Sequence, residues 1–287
     1  MAKEINASNK TCVVIGNGFD INLGLPTSYN SFVDSKQFND LLQRGNKLAV
    51  HLKDKYDLQN WIDIENELKA YSDTEDDPDF KINFETLRFQ LINYLNNLDY
   101  RNLKTHGSAY NLLSEIAKNC HNYIILDFNY TKSIEYILRS KYIDEETIDS
   151  CLVKVHGEAS NNDIIFGIED GLQIKKEHVF LRKAYPLYYK GLNLPKIFEQ
   201  SDRIIIFGHS LGETDHTYFH NLFRDCCMEK YGEKEINKEF QIFYYKETGY
   251  DSLMQQIDYL TNFSLAAFRQ HNTIRFMDVA HLDDMQS

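Results

Sequence analysis

The sequence predicts an α/β protein built on a doubly wound, mostly parallel sheet. Three observations carry this expectation. Short runs of apolar and β-branched residues recur at 11–15, 122–127, 151–155, 163–166, 203–207, 240–245 and 273–276. Most of them do not alternate with polar residues, which fits strands covered on both faces. Helical patterns fall between them, at about 27–52, 61–71, 81–97, 107–119, 131–141, 175–190, 215–230 and 250–270, and interleaved strands and helices mean α/β. Finally, the first run ends in Gly16-Asn17-Gly18, a tight turn leaving a buried strand.

The chain of 287 residues is 43% apolar and 13% aromatic, enough for a large globular core. Its length suits one domain, 1–287, with an inserted subdomain. Residues 30–105 are expected to form that insertion. About a hundred largely helical residues separate the first strand from the second, and a single crossover needs far fewer. The formal charge of −12 argues against a nucleic-acid partner held by phosphate neutralisation. No stretch is apolar enough to cross a bilayer or act as a secretory leader, so a cytoplasmic protein without a membrane partner is expected. Five scattered cysteines read as reduced thiols, with Cys226 and Cys227 straddling a helix face. The acidic run "SDTEDDPD" at 72–79 reads as a solvated loop.

Two motifs have more than one reading. A buried strand, a Gly-x-Gly turn and a helix-like segment form a recipe for pyrophosphate binding, with Gly16, Asn17, Gly18 and Phe19 as the cradle. The third glycine of the full fingerprint would fall at Ile21, so a purely structural turn is equally open. Asp20 would accept from a ribose hydroxyl or cap the following helix. In "GHSLG" (208–212), Ser210 has the position of an esterase nucleophile, with Asp251 or Asp258 and His271 or His281 as partners. Asp215 reads as the N-cap of a helix, and Ser210 then lines a phosphate or ribose pocket beside Gly208. His216 and His220 are four residues apart, but Thr217 replaces the glutamate of a zinc motif. They read as helix-surface histidines, and no metal is expected. A nuclease would need Asp20, Glu65 and Asp215 around Mg²⁺.

Four fragments fall in chain order at predicted strand ends, where an open α/β sheet forms its ligand crevice. They are "GNGFD" with Gly24 and Pro26 of "GLP", "DFNYT" (127–131), "KVHGE" (154–158) and "FGHSL" (207–211). They resemble the sirtuin Gly-x-Gly and Gly-Ile-Pro opening and its Asn-Ile-Asp, His-Gly and Gly-Thr-Ser elements. Together with Trp61 and Glu65 of W-x-x-x-E, "IIFGIED" and "GHSLGETDHTYF", most of the chain resembles the bacteriophage abortive-infection AbiH family. That resemblance implies a sirtuin-like Rossmann variant and an anti-phage effector answering a phage-derived trigger, as a monomer or homo-oligomer. It implies NAD as the substrate, hydrolysed at its N-glycosidic bond to release nicotinamide.

In this alignment Asn129 and His156 stand where sirtuins carry their catalytic Asn and His. An amide can fix a ribose hydroxyl or a water, and imidazole is a general base near neutrality. An Asx turn for Asn129 and a satisfied core histidine for His156 are the structural alternatives. Thr131 stands in place of the sirtuin acid, Thr27-Ser28-Tyr29 replace Asp-Phe-Arg, and the C-x-x-C pairs are missing, so protein deacylation is not implied. A non-catalytic nucleotide sensor is the alternative from another class.

Overall fold

The computed structural model describes residue 7 and residues 10–59, 63–231, 234–235 and 237–285. Trp61 and the start of the expected helix 61–71 lie outside the described residues. From β1 (Thr11–Ile15) the chain runs through α1 (Asn17–Asn22), α2 (Tyr29–Val33), α3 (Lys36–Gln43), α4 (Lys47–Gln59), α5 (Ile64–Thr74), α6 (Phe80–Asn96) and α7 (Ser108–Ala117) to β2 (Tyr123–Asp127). Next come α8 (Ser133–Ser140), α9 (Glu145–Cys151), β3 (Leu152–Lys154), α10 (Leu194–Gln200), β4 (Arg203–Phe207) and α11 (His216–Asp225). A small hairpin, β5 (Lys230–Tyr231) with β6 (Lys234–Glu235), precedes β7 (Glu239–Tyr244), α12 (Lys246–Leu260), α13 (Leu265–His271), β8 (Thr273–Asp278) and α14 (Val279–Asp284).

The main sheet has the order β3-β2-β1-β4-β7-β8, and every neighbouring pair is parallel. Helices cover both faces. Cys12, Val14, Ile204 and Ile206 pack with residues of α10 to α13. Val13, Ile15, Ile205 and Phe207 turn the other way, onto α1, α7, α8 and α9. This is a doubly wound, Rossmann-like architecture whose strand order reverses between β1 and β4. A third core joins α2 to α6 with Ile164, Phe166, Ile168, Phe180 and Leu181. Phe84 stacks on Phe166 there, with centroids 5.7 Å apart. The helices after β1 thus share their core with the chain that follows β3.

Several expected elements are corrected. Residues 163–166 form no strand. Ile164 and Phe166 enter the third core, and the backbone is held from outside: Tyr188 and Tyr130 hydroxyls donate to the Ile164 and Ile165 carbonyls, and Ile165 N–H donates to the His156 carbonyl. The helix expected at 175–190 is reduced to a 3₁₀ stretch, Lys176–Leu181. Residues 27–52 break into α2, α3 and α4, because Ser28 and Ser35 each cap a new start. Residues 250–270 break at Asn262 and Phe263, both left-handed. The acidic run is not merely solvated: α5 continues to Thr74, and buried Asp77 accepts from Tyr71 Oη and Asn83 Nδ2. Among the described residues no helix is long and apolar enough to cross a membrane.

The reversal point is sealed by glycines. Gly18 N–H donates to Gly208 O at 2.8 Å, and a Cβ on Gly18 would sit 2.8 Å from Gly208 Cα. Gly208 is left-handed, at φ 67°, and a Cβ there would lie 2.2 Å from Phe19 N. Gly208→Ala is expected to cost roughly 3 kcal/mol or more, since a left-handed non-glycine residue alone costs about 1–2 kcal/mol and the clash adds to it. Gly45 is also left-handed, at φ 72°, but faces open space, so Gly45→Ala should cost only the conformational penalty of about 1–2 kcal/mol. Urea unfolding of the two variants checks this; equal losses would show that the turn contact carries no weight.

Candidate functional site

The turns after β3, β2, β1 and β4 surround a cavity of about 420 Å³ at the reversal point. Of the residues singled out from the sequence, Gly16, Asn17, Gly18, Asp20, Asn129, Thr131, His156, Gly208, Ser210 and Asp215 line it. Phe19, Gly24 and Pro26 do not. Phe19 is wholly buried, edge-on to Phe207 at 5.3 Å. Gly24 faces the Lys104 side chain, and the Pro26 carbonyl accepts from Tyr94 Oη. The helical layer closes the far wall with Tyr29, Asp63 and Glu65.

The glycine turn is more occupied than the sequence implied. Gly16 N–H donates to Phe207 O, Gly18 N–H to Gly208 O, and Phe19 N–H to Gly16 O. These amides are committed within the fold, so the glycines serve backbone-to-backbone packing rather than an open phosphate nest. Asn129 Nδ2 reinforces the turn by donating to Gly16 O at 3.2 Å. The Asx turn at this strand end belongs to Asp127, whose Oδ1 accepts from Asn129 N–H.

Below the cavity, Asp20 neither caps a helix nor faces outward. It lies within α1, and its carboxylate accepts from Thr131 Oγ1 at 2.6 Å and Ser133 Oγ at 2.5 Å. Burial raises its pKa, against the pull of those hydroxyls. Beside it Lys154 pairs with Asp127 at 2.8 Å and Glu135 at 3.2 Å and donates to the Thr131 carbonyl. Burial pushes the Asp127 carboxyl up to about 6, with Lys154 opposing. This cluster ties the ends of β2 and β3 to α1 and α8.

Above it is a second ionic cluster that sequence reading did not assemble. Buried Lys183 bridges Glu65 Oε2 at 2.9 Å and Asp215 Oδ1 at 2.8 Å. Burial opposes its charge, but the two carboxylates hold its pKa above the ordinary lysine value. Burial would raise the Asp215 pKa, yet Lys183 and then His156 hold it well below the usual range. His156 Nε2 lies 3.3 Å from Asp215 Oδ1, and His209 Nε2 lies 3.4 Å from Oδ2. Tyr29 Oη donates to Glu65 Oε1 at 3.1 Å.

Lys183 is positioned by a short bridge. Ile168 N–H donates to Leu181 O, and Lys183 N–H donates to Ile168 O. Asp215 occupies the N-cap position of α11 but makes no side-chain cap bond. Glu169 caps instead, accepting from Thr217 N–H at 2.8 Å. The expected capping role of Asp215 thus gives way to ion pairing.

The carboxylates required by a nuclease do not share a centre. An ammonium separates Glu65 from Asp215, and Asp20 is engaged elsewhere. No group of three or more His, Cys, Asp or Glu among the described residues is arranged to hold a metal. Ser210 Oγ accepts from Gly212 N–H, and none of Asp251, Asp258, His271 or His281 lines the cavity with it. Of the two histidines expected on the helix surface only His220 is exposed; His216 is buried, because it bonds Gln256 at 2.8 Å and stacks on Tyr259. Cys226 enters the core while Cys227 is half-exposed. His209 and Asp63 could have been found next to Ser210 and Glu65. Lys183 carries no local signal.

Fold and site together define a Rossmann-like α/β protein with a polar, charge-lined cavity at its topological switch point. A family profile described as bacteriophage abortive infection AbiH matches residues 12–109 and 75–232. The chain belongs to that family, which implies a role in abortive-infection defence against phage. Among curated proteins none matches the chain. Among solved structures none matches either.

Replacing Lys183 by Met leaves two buried carboxylates facing each other. It is expected to cost about 3–5 kcal/mol, measured by denaturant unfolding; a loss under about 1 kcal/mol would refute the bridge. A second expectation concerns pH. Burial, then the charge of Glu65, push the Asp63 carboxyl up to about 6, above its unfolded value near 4. The folded chain therefore holds this proton more tightly. The resulting stability is full below about pH 4 and is lost as pH rises through about 6. Asp63→Asn keeps a good N-cap acceptor and should flatten that fall by about 1–2 kcal/mol between pH 5 and 7. An unchanged slope in urea titrations would contradict it.

Proposed function

We propose that this protein is an abortive-infection effector that binds NAD in the switch-point cavity and hydrolyses its N-glycosidic bond. The observation supporting the reading is the convergence of four chain-separated turns on one cavity, with Asn129 and His156 on its wall. Water adds to C1′ of the nicotinamide ribose while the C1′–N1 bond breaks. The bonding electron pair returns to the pyridinium ring, nicotinamide leaves neutral, and ADP-ribose remains. The proton lost by water passes to His156. The carboxylate of Asp215, ionised and 3.3 Å away, stabilises the imidazolium so formed. Asn129, 6% exposed and anchored to Gly16 O, orients a ribose hydroxyl. Lys183 keeps Asp215 ionised. Loss of NAD then stops the infected cell from supporting the phage.

His156→Ala and Asn129→Ala are each expected to lower nicotinamide release from NAD by about 100-fold or more. Both variants are expected to stay folded, with a loss of about 1–3 kcal/mol where a buried contact is removed, so cooperative unfolding below the assay temperature has to be excluded by melting curves. Retention of full activity by both variants would refute the assignment. Binding of NAD without any release, even with phage lysate present, would instead identify a nucleotide sensor.

A further inference from the structure

The cavity wall carries carboxylates but no permanent cation. Asp20, Asp63, Glu65 and Asp215 line it, and among the described residues no Lys or Arg does. Lys183 lies behind the wall, its side chain 3% exposed, and offsets only part of the charge of Glu65 and Asp215. A further polar atom awaits a partner. His156 Nε2 is buried, and although close to Asp215 Oδ1 it makes no hydrogen bond among the described residues. A buried polar atom left unmet calls for an explanation, and at a cavity wall a ligand is one that fits. Tyr29, Phe128 and Tyr130 add aromatic rings to the same wall, and ring faces attract cations.

We infer that Asp63, Glu65 and Asp215 make the cavity selective for the positively charged, oxidised form of a pyridine nucleotide over its neutral-ringed, reduced form. This inference rests on the NAD reading. The oxidised ring is a pyridinium. As its bond to C1′ lengthens, the positive charge passes to the ribose, so carboxylates near both atoms favour binding and reaction alike. The reduced dihydropyridine has no such charge and gains nothing from the acidic wall. Two of the three carboxylates come from the start of α5, which makes the helical layer a specificity element rather than a mere lid.

The test is calorimetric titration of the full chain with nicotinamide riboside and its 1,4-dihydro form, with NAD and NADH in parallel. Nicotinamide release from NAD is measured separately. The oxidised member of each pair is expected to bind at least about tenfold more tightly. Glu65→Gln, which can still accept from Tyr29, should reduce that ratio several-fold. Asp63→Asn should do the same if the first variant folds poorly. Equal affinities for oxidised and reduced forms, or no riboside binding, would overturn the inference even if NAD is cleaved. A preserved ratio with no nicotinamide release would leave the selectivity standing and remove hydrolysis alone.

Discussion

Lys183 brings an ammonium into the interior between Glu65 on α5 and Asp215 before α11. The helical layer and the sheet layer meet across that bridge. A lone buried ammonium would be too costly to keep, and so would two facing carboxylates. Together they are stable because the ammonium lies between both carboxylates and offsets part of their charge, and Thr214 O accepts another of its hydrogens at 2.9 Å. Once the bridge is set, His156 and His209 each have the charge of Asp215 beside them, at 3.3 and 3.4 Å.

The Lys154 cluster does a parallel task lower down. It joins the ends of β2 and β3 to α8 through Asp127 and Glu135, while Asp20 holds Thr131 and Ser133. The loop carrying Asn129 and Thr131 is thereby clamped from beneath. The glycine turn clamps it from the side, through Asn129 Nδ2 on Gly16 O. The cavity therefore has a sheet-side wall tied by hydrogen bonds and ion pairs and an acidic wall contributed by helices. A preformed arrangement of this kind suits a site that orients a ligand rather than one that folds around it.

The parts legible in the sequence were those with local signatures. Strands β1, β2 and β4 are unbroken apolar runs, and the glycine, Asn, His and Gly-x-Ser turns follow β1 to β4 as short fragments at strand ends. Their convergence follows from the parallel order of the sheet. What stayed hidden depends on distant partners. Lys183 lies in "FLRKAY", where nothing nearby indicates burial, and its meaning comes from Glu65 and Asp215. The run 163–166 looked like a strand because an apolar segment reads alike whether it pairs with a sheet or packs under helices. Asp215 looked like a cap because position, not side-chain direction, is what sequence shows; Glu169 took that bond from elsewhere.

The interlocked glycines also bear on how such a chain can change over generations. Gly16 and Gly18 each lack room for a methyl group because Gly208 and His209 press against them, and Gly208 is excluded in turn by Gly18 and Phe19. Exchange at either turn alone meets the backbone of the other. A side chain gained at one turn therefore has to be accommodated by a backbone shift at the other, which couples the two loops in sequence as they are coupled in space.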